Sequence, residues 1–289
     1  MKRCLRCEAS FQGEDWRCTA CGYTPRTLEG FPAFAPEVAH AAEGFDPMLF
    51  GELVRLEARN FWFRGRNRLI AWALRRYFAH AQSLLEIGCG TGFVIAGIAG
   101  AIPGISIAAS EAHVSGLRFA AQRVHGARLM QMDARAIPFT AEFDVVAAFD
   151  VIEHIEDDRV VLCEMHRAVR PGGGILLTVP QHPWLWSEFD VRARHVRRYT
   201  ARELRAKVLA AGFEIVRLTS FVSLLLPLMV LSRLARRAPG ADYDALAELR
   251  MAGWLNATLG AILACERGLI RAGLGFPAGG SLLLVARRP

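Results

Sequence analysis

The sequence from Leu84 to Phe93 is Leu-Leu-Glu-Ile-Gly-Cys-Gly-Thr-Gly-Phe. Apolar residues flank one carboxylate, glycines then occupy every second position, and an apolar helical pattern follows from Val94. This order predicts a buried strand, a tight turn and the start of a helix. Glycine lets the backbone turn sharply and lets a ligand lie against it, because no Cβ stands in the way. The stretch therefore predicts a ligand-binding turn between a strand and a helix.

Strands and helices alternate from Ser83 onward, which predicts an α/β fold with a parallel sheet covered on both faces. Six further strand candidates follow the first, at 105–110, 127–132, 143–149, 174–179, 213–218 and 281–286. A carboxylate comes directly after three successive candidates, namely Glu111, Asp133 and Asp150. Open α/β sheets bind ligands at the carboxyl ends of their strands, so we expect the binding site at this edge.

Composition limits the class of protein only broadly. With 289 residues and 53% hydrophobic residues, the chain can bury one sizeable core and carry a small appendage. The net charge of +7 permits contact with RNA, phosphate-bearing substrates or an anionic membrane, and it proves none of these. The N-terminus is charged and carries cysteines, unlike a signal peptide, so we expect a cytoplasmic protein.

The N-terminal region contains two C-x-x-C pairs, Cys4 with Cys7 and Cys18 with Cys21. Two such turns can bring four thiolates together in a tetrahedral zinc site, and a reducing compartment favours metal over disulfides. We therefore predict a zinc ribbon over residues 1–36 that holds Zn²⁺ mainly for structure, because so small a module needs the metal to fold. A redox C-x-x-C is the alternative, but no βαβ pattern surrounds these pairs.

Two helical stretches follow, and we assign 37–82 to a helical lead-in or lid. One covers about 47–59, with Asp46 as N-cap and Pro47 at the first helical position. The other covers 66–80, and residues 31–36 before both read as an extended linker. Between the helices, the aromatic run 61–63 can cover a cofactor or pack the helices onto the sheet, which we favour over stacking on nucleic acid.

Residues 83–289 form the predicted α/β domain, with an atypical helical insertion at 221–277. Its first part, 221–234, is almost wholly apolar and shorter than the roughly 18–20 residues needed to span a bilayer. Arg236 and Arg237 follow, and then a helical pattern at about 243–271. Burial in the core, contact with a membrane surface and a channel for a lipid-like substrate all remain open.

The spacing Glu-x-Gly-x-Gly-x-Gly resembles motif I of the class I S-adenosylmethionine-dependent methyltransferases rather than the dinucleotide motif G-x-G-x-x-G. The resemblance covers about 83–286 and implies a Rossmann-like, seven-stranded methyltransferase sheet. It also implies that S-adenosyl-L-methionine is the cofactor and that its methionine part lies over the glycine turn. The turn residues concerned are Glu86, Gly88, Cys89, Gly90 and Gly92.

The same resemblance assigns further cofactor contacts. Glu111 would accept from the ribose hydroxyls, and it lies about 20 residues past the glycines, where nucleotide folds place a ribose carboxylate. Asp133 would accept from the adenine amino group, with Ala134 near the ring. Asp150 opens a segment that faces both the sulfonium and the acceptor in this family.

Two histidines are the predicted catalytic residues. His154 lies in the run 150–155, which resembles the "EH" signature of small-molecule and ubiquinone-biosynthesis-type methyltransferases. His195 lies in the run 189–200, which resembles a "GH-x-RRY" segment, although Ala193-Arg194 stands where a glycine is commoner. An oxygen acceptor must lose its proton, and histidine suits that step near neutral pH. A surface or helix-capping role is the alternative, and the arginines of the second run can hold an acceptor anion.

These observations predict a methyltransferase acting on a small or lipid-linked acceptor at oxygen, with peripheral contact to the inner membrane face as an open option. An RNA base methyltransferase is one alternative, because a zinc ribbon beside such a domain also resembles ribosomal-RNA guanine enzymes. The run after Phe149 lacks the Asn/Asp-Pro-Pro-Tyr/Phe motif of many amine methylases, so nucleic acid is less favoured. A non-catalytic cofactor-holding protein is a second alternative, and a dehydrogenase a distant one.

Overall fold

The computed structural model describes residues 1–13, 15–40, 45–235 and 250–289. Its strands are β1 (Lys2–Arg3), β2 (Ser10–Phe11), β3 (Arg26–Leu28), β4 (Phe31–Ala33), β5 (Ser83–Ile87), β6 (Ser106–Glu111), β7 (Arg128–Gln131), β8 (Phe143–Phe149), β9 (Val169–Pro180), β10 (Glu214–Phe221) and β11 (Ser281–Arg287). Its α-helices are α1 (Phe50–Leu56), α2 (Phe61–Tyr77), α3 (Phe93–Ala101), α4 (Val114–Arg123), α5 (Asp158–Ala168), α6 (Glu188–Arg192), α7 (Ala201–Ala210), α8 (Leu226–Ala235) and α9 (Gly253–Arg271).

A nine-stranded sheet in the order β10-β11-β9-β8-β5-β6-β7-β4-β3 forms the centre of the molecule. The strands from β5 to β9 pair in parallel, while β11 runs antiparallel between β9 and β10. The seven strands β5–β11 are those predicted from the sequence, and their order confirms the predicted Rossmann-like α/β sheet. The order reverses between β5 and β8, and the crevice at such a reversal is where α/β sheets bind ligands.

The central strands are apolar on both faces because helices cover the sheet on both sides. Neighbouring residues on one strand therefore enter different cores. Leu85 and Val146 face the core that contains Met165 of α5, whereas Leu84 and Val145 face the other core, with residues of α2, α3 and α4. Burial of both faces explains why these strands read as continuous apolar runs rather than as alternating ones.

The sheet extends beyond the seven predicted strands because the N-terminal region adds two more. β4 pairs in parallel with β7, and β3 pairs antiparallel with β4. The side chain of Gln131 reinforces this edge, since it accepts from the backbone N–H of Ala35 at 3.1 Å and donates to its carbonyl at 2.7 Å. Part of the predicted linker 31–36 is thus a strand, and the boundary predicted at residue 36 falls after it.

The lead-in helices begin at hydrogen-bonded caps. Asp46 accepts from the backbone N–H of Met48 at 3.0 Å with Pro47 in the first turn, as predicted. The second helix starts at Phe61 rather than at residue 66, because Asn60 accepts from the backbone N–H of Trp62 at 2.8 Å. The aromatic run 61–63 therefore forms the first turn of α2 and does not connect two helices.

The apolar insertion is buried at its start and exposed further on. Phe221, Val222 and Leu225 are buried, whereas Leu228 and Leu231 of α8 are 52% and 62% exposed. Helix α9 packs against α2. Residues 236–249, with the two predicted arginines and the beginning of the predicted helix 243–271, lie outside the described residues. Of the helices that are described, none combines the length and the apolarity that crossing a membrane requires.

The cysteine-bearing N-terminus packs on the loop that follows β7. The ring of Trp16 contacts Phe34 and Phe139 edge-on, with centroids 4.5 and 5.5 Å apart. The backbone N–H of Arg3 donates to the carbonyl of Pro138 at 3.0 Å. The N-terminal module thus touches the loop that also carries Asp133, one of the predicted cofactor residues.

Candidate active site

A cavity of about 1630 Å³ opens at the carboxyl ends of the central strands. One wall consists of the glycine turn after β5 and the loops after β6, β7 and β8. The opposite wall is apolar and comes from the lead-in helices and the insertion. Its lining includes Phe50, Phe61, Trp62, Leu225, Leu228, Met229, Leu255 and Leu259. The cavity therefore joins a polar floor, where the predicted site residues lie, to an apolar roof.

The glycine turn has a conformation that only glycine adopts easily. Gly88, Gly90 and Gly92 have φ angles of +67°, +52° and +76°. A Cβ at Gly88 would lie 2.5 Å from the side chain of Val151, and one at Gly92 would lie 2.7 Å from the backbone of Ala120. Left-handed backbone and lack of space both exclude side chains here. The spacing of the motif follows directly from this geometry.

Two buried carboxyl groups flank the turn. Glu86 is 1% exposed, its Oε2 has no hydrogen-bond partner among the described residues, and burial raises its pKa to about 8. Glu111 accepts from the backbone N–H groups of Gly90 at 2.9 Å and His113 at 3.2 Å, and burial raises its pKa. A carboxylate offers about four lone-pair sites, so both groups keep acceptor capacity toward the cavity.

The loops after β7 and β8 carry the other predicted cofactor residues. Asp133 and Ala134 line the cavity, and the Asp133 carboxylate accepts from the backbone N–H of Arg135 at 2.8 Å and from its guanidinium at 2.7 Å. Asp150 has a φ of +57° and forms an ion pair with Arg66 of α2. Cys89, at the turn itself, is buried and also lines the cavity.

Arg66 is a site residue that the sequence analysis missed. Its side chain is almost buried, and its guanidinium lies 4.6 Å from the ring centroid of Trp62. Burial lowers its pKa to about 10, while the nearby Glu86 and Glu153 act in the opposite direction. An arginine on the buried face of an amphipathic helix was the only signal in the sequence. Arg66 places one positive charge among three carboxyl groups at the cavity floor.

The two predicted catalytic histidines come together in the structure. Their rings, from loops after β8 and α6, pack edge to face with centroids 4.7 Å apart. Burial and the neighbouring His195 lower the pKa of His154 to about 3, so that histidine is neutral. The Nδ1 of His195 lies 2.9 Å from Oδ1 of Asp190, and Nε of Arg198 donates to the same oxygen at 2.7 Å.

The side chain of Asp190 is fully buried and holds this arrangement together. Burial alone raises its pKa, but hydrogen bonds from His195 and Arg198 outweigh that effect and lower the pKa to about 2. An ionised carboxylate only accepts hydrogen bonds, so the Nδ1 of His195 donates to Asp190.

Glu153 completes a cluster that the sequence analysis did not assign. Its side chain is 0% exposed, and neither carboxylate oxygen has a hydrogen-bond partner in the described part of the chain. Burial raises its pKa to about 8. One ligand atom each from Glu153, His154 and His195 lies within 4.8 Å of the others. All three residues line the cavity.

The arginines predicted as acceptor-anion binders have carboxylate partners inside the protein. Arg192 pairs with Glu188 at 3.4 Å, Arg194 with Asp46 at 3.7 Å, Arg197 with Asp158 at 2.8 Å and Arg198 with Asp190 at 2.7 Å. These pairs tie the loop after α6 to its surroundings.

The four N-terminal cysteines also converge. The sulfurs of Cys4 and Cys21 are 3.6 Å apart, and those of Cys7 and Cys18 are 3.7 Å apart. All four lie within 4.8 Å of one another. Zinc–sulfur bonds of about 2.3 Å in a tetrahedron require sulfurs about 3.8 Å apart, so the geometry is compatible with one metal ion.

Comparison with known proteins identifies the class. A family model described as a methyltransferase domain matches residues 85–177. A probable S-adenosylmethionine-dependent methyltransferase of Mycobacterium tuberculosis is 30% identical over 200 residues, which cover 63% of this chain and 70% of the relative. One of Mycolicibacterium smegmatis is 32% identical over 169 residues, which cover 55% of this chain and 62% of the relative. The chain belongs to the class I S-adenosylmethionine-dependent methyltransferases.

Two more comparisons concern a curated relative and a solved structure. A ubiquinone biosynthesis O-methyltransferase of Erwinia tasmaniensis is 26% identical over 178 residues, covering 53% of this chain and 70% of the relative. A solved structure of a methyltransferase from Thermotoga maritima, described as a possible histamine N-methyltransferase, superimposes with a TM-score of 0.53. That likeness covers 84% of this chain and 97% of the other at 16% identity, and it shows the shared fold alone.

This protein is therefore an enzyme that uses S-adenosylmethionine, and its cavity fits that cofactor. The turn leaves room for a ligand because no Cβ projects from it, and Glu86 beside it has an oxygen without a hydrogen-bond partner among the described residues. When bound, the cofactor supplies a methyl group on a positively charged sulfur.

Proposed function

We propose that the protein transfers a methyl group to an oxygen atom of an apolar acceptor, of lipid-like or ring-bearing character. The observation that carries this proposal is the joint placement of a histidine–glutamate cluster and an apolar roof on one cavity. Small-molecule sites usually measure about 300–1,000 Å³, and this cavity exceeds that range. It has room for an acceptor beside the cofactor.

The cofactor roles predicted from the family resemblance are part of the proposal. The methionine part lies over the turn residues Glu86, Gly88, Cys89, Gly90 and Gly92. Glu111 accepts from the ribose hydroxyls, while Asp133 and Ala134 lie at the adenine. Asp150, held by Arg66, faces the sulfonium. Support comes from the position of these residues, Gly92 excepted, on one cavity wall.

The choice of oxygen rests on proton handling. A hydroxyl acceptor must lose its proton as the new carbon–oxygen bond forms, and histidine suits that task. His154 and His195 lie beside each other at the cavity wall. Because the lowered pKa of His154, about 3, makes it a weak base, His195, held by Asp190, is the proposed proton acceptor. The names of two relatives, the ubiquinone O-methyltransferase of Erwinia tasmaniensis and an O-methyltransferase of Penicillium expansum, point the same way.

The apolar acceptor follows from the insertion. Side chains of α8 and α9 face the cavity, and Leu228, Leu231 and Trp254 of the same helices are 52%, 62% and 73% exposed. Burying an apolar side chain of this size contributes about 1.5–3 kcal/mol, so a lipid surface would bind this face favourably. We propose that the insertion admits a lipid-like acceptor from the inner membrane face.

Flotation with vesicles of anionic phospholipid tests the membrane part. Wild type should float at low salt, and Leu228→Asp or Leu231→Asp should reduce the bound fraction. Leu209→Asp is the matched control, because Leu209 is 46% exposed on α7, away from the insertion. Equal flotation of all four proteins, or of none, would contradict the membrane contact. Phe221 and Leu225 are unsuitable positions, because both are buried.

We also propose that Cys4, Cys7, Cys18 and Cys21 bind one Zn²⁺ ion. The sulfur distances support this, and structural zinc sites of this type are closed and tetrahedral. Metal analysis of protein purified without added zinc should give one zinc per chain, and Cys18→Ser should remove it. A metal-free chain with a disulfide among these cysteines would contradict the proposal.

One experiment tests the proposed function as a whole. Purified protein is incubated with radiolabelled S-adenosylmethionine and with separate lipid, small-molecule and RNA fractions of cell extract. Label is expected in the lipid or small-molecule fraction, on a bond stable to base as an ether is. Label in RNA would support the base-methyltransferase alternative instead. Cofactor binding without any transfer would support a non-catalytic protein.

A further inference from the structure

We propose that four arginines on the surface of α2 and α9 bind the phosphate groups of an anionic phospholipid membrane. They are Arg64 and Arg68 of α2, both exposed, with the half-buried Arg267 and the exposed Arg271 of α9, and we call them the arginine face. This inference rests on the proposed access of a lipid-like acceptor from a membrane, and it names the surface that would hold the enzyme there.

The packing of α2 against α9 brings the arginines together. At the start of both helices, the backbone N–H of Phe61 donates to Oδ1 of Asn256 at 2.7 Å. One turn further on, a Cβ added at Gly65 would lie 3.0 Å from Cδ1 of Leu263. The two helices therefore run side by side in the same direction, and the turn that follows on each helix carries an arginine of the face.

Like charges are close to one another on this surface. Arg64 precedes Arg68 by four residues and Arg271 follows Arg267 by four, which is the spacing of neighbours on one side of a helix. Burial lowers the pKa of Arg267, and the positive charges of Arg68 and Arg271 lower it further. Like charges at this spacing are destabilising, so an anion bound among the four arginines would relieve their repulsion.

No internal carboxylate neutralises the arginine face. Its four guanidinium groups form no ion pair or hydrogen bond in the part of the chain that the structure describes. Helix α2 contains no acidic residue. The acidic residue of α9, Glu266, is 2% exposed and accepts from the backbone N–H groups of Val222 and Ser223 at 2.6 and 2.7 Å. Unlike the arginines after α6, which have carboxylate partners, these four are available to an external anion.

The surroundings of the arginine face favour phospholipid over nucleic acid. Proteins that bind single-stranded nucleic acid add aromatic rings on which the bases stack. The aromatic residues next along α2, Trp72 and Tyr77, instead pack edge-on with ring centroids 5.8 Å apart and lie against the core. Trp254 at the start of α9 is 73% exposed, and Leu274, three residues beyond Arg271, is 49% exposed. Basic groups with exposed apolar side chains nearby suit the surface of an anionic membrane.

Partitioning of the full chain onto vesicles tests the arginine face. Wild type should bind vesicles that contain phosphatidylglycerol more tightly than vesicles of phosphatidylcholine alone, and rising salt should weaken that binding by screening the charges. Each basic residue at an anionic surface changes partitioning roughly fivefold, so the double variant Arg68→Gln, Arg267→Gln should bind the anionic vesicles roughly 25-fold more weakly. The double variant Arg68→Lys, Arg267→Lys keeps both charges and should bind as wild type does.

A matched control removes the same charge from another surface. Arg202 and Arg205 are exposed on α7. Leu204 of that helix packs in the core on one side of the sheet, whereas Leu69 of α2 and Leu263 of α9 pack in the core on the other side. The double variant Arg202→Gln, Arg205→Gln should therefore bind anionic vesicles as wild type does. Calorimetry with S-adenosylhomocysteine checks that every variant keeps a folded cofactor site.

The outcomes separate the arginine face from the proposed function. If wild type does not bind anionic vesicles, or if the Arg68→Gln, Arg267→Gln variant binds them no more weakly than the α7 control, the inference is wrong, whether or not an oxygen acceptor is methylated. If wild type instead binds a mixed-sequence RNA oligonucleotide and the same variant loses that binding, the face binds nucleic acid and the inference is also wrong. If vesicle binding changes as expected but no oxygen acceptor is ever methylated, the arginine face is confirmed and the proposed function fails.

Discussion

Replacing Glu111 by alanine should weaken S-adenosylmethionine binding by a predictable amount. Its carboxylate is 7% exposed and already accepts from the backbone N–H groups of Gly90 and His113. If it also accepts from the ribose hydroxyls, its loss removes a charge-assisted hydrogen bond worth about 1.5–3 kcal/mol. Since about 1.4 kcal/mol corresponds to tenfold, the dissociation constant should rise roughly 10- to 150-fold.

Calorimetric titration measures this change, but Glu111 also holds the glycine turn, so a direct contact must be separated from a positional effect. A 2′-deoxyribose analogue of S-adenosylhomocysteine provides the separation. Wild type should bind it more weakly than the parent ligand, whereas Glu111→Ala should bind both equally. Glu214→Ala, which removes an exposed carboxylate of β10, is the control and should change neither affinity. If the deoxy analogue loses equal affinity in wild type and Glu111→Ala, the assignment of Glu111 to the ribose is refuted.

Three further predictions concern stability and the metal. Asp158→Asn should lower the free energy of unfolding by roughly 3 kcal/mol at pH 7, since it breaks a nearly buried pair with Lys207, whose Nζ lies 2.5 Å away. Burial raises the pKa of Asp158, but its hydrogen bonds outweigh this and lower it. The contribution is therefore present above the unfolded pKa of about 3.9 and is lost as the pH falls through the lower folded-state pKa, where the denaturant curves of wild type and variant should converge. Gly92→Ala should lower the free energy of unfolding by more than the roughly 1–2 kcal/mol that left-handed backbone costs, and it should abolish cofactor binding. The control Gly100→Ala, in α3 with open space around it, should leave stability unchanged or raise it by up to about 1 kcal/mol, and equal thermal shifts of the two variants would contradict this. Cys18→Ser should release the zinc and lower the melting temperature of the whole chain, because the module packs on the loop after β7; an unchanged calorimetric transition would show that the module is uncoupled.

The seven central strands and the glycine turn were predictable from the sequence alone. Their signals are local, because a strand buried on both faces shows as an apolar run and a left-handed turn shows as glycine at fixed spacing. The four cysteines were also recognisable, since their spacing within each pair reflects the turn that brings two thiolates together. In each case neighbouring residues along the chain carry the information.

Only the tertiary structure shows which residues surround the two histidines and which strands form the edge of the sheet. Arg66 reaches Asp150 from a helix 84 residues earlier in the chain, and Glu153 meets His195 from the loop after β8. The strand β4 joins β7 through backbone groups and Gln131, which leave no periodic pattern in the sequence. Burial, ion pairing and the resulting pKa values depend on groups that are distant along the chain, because they arise only when the fold removes water from between them.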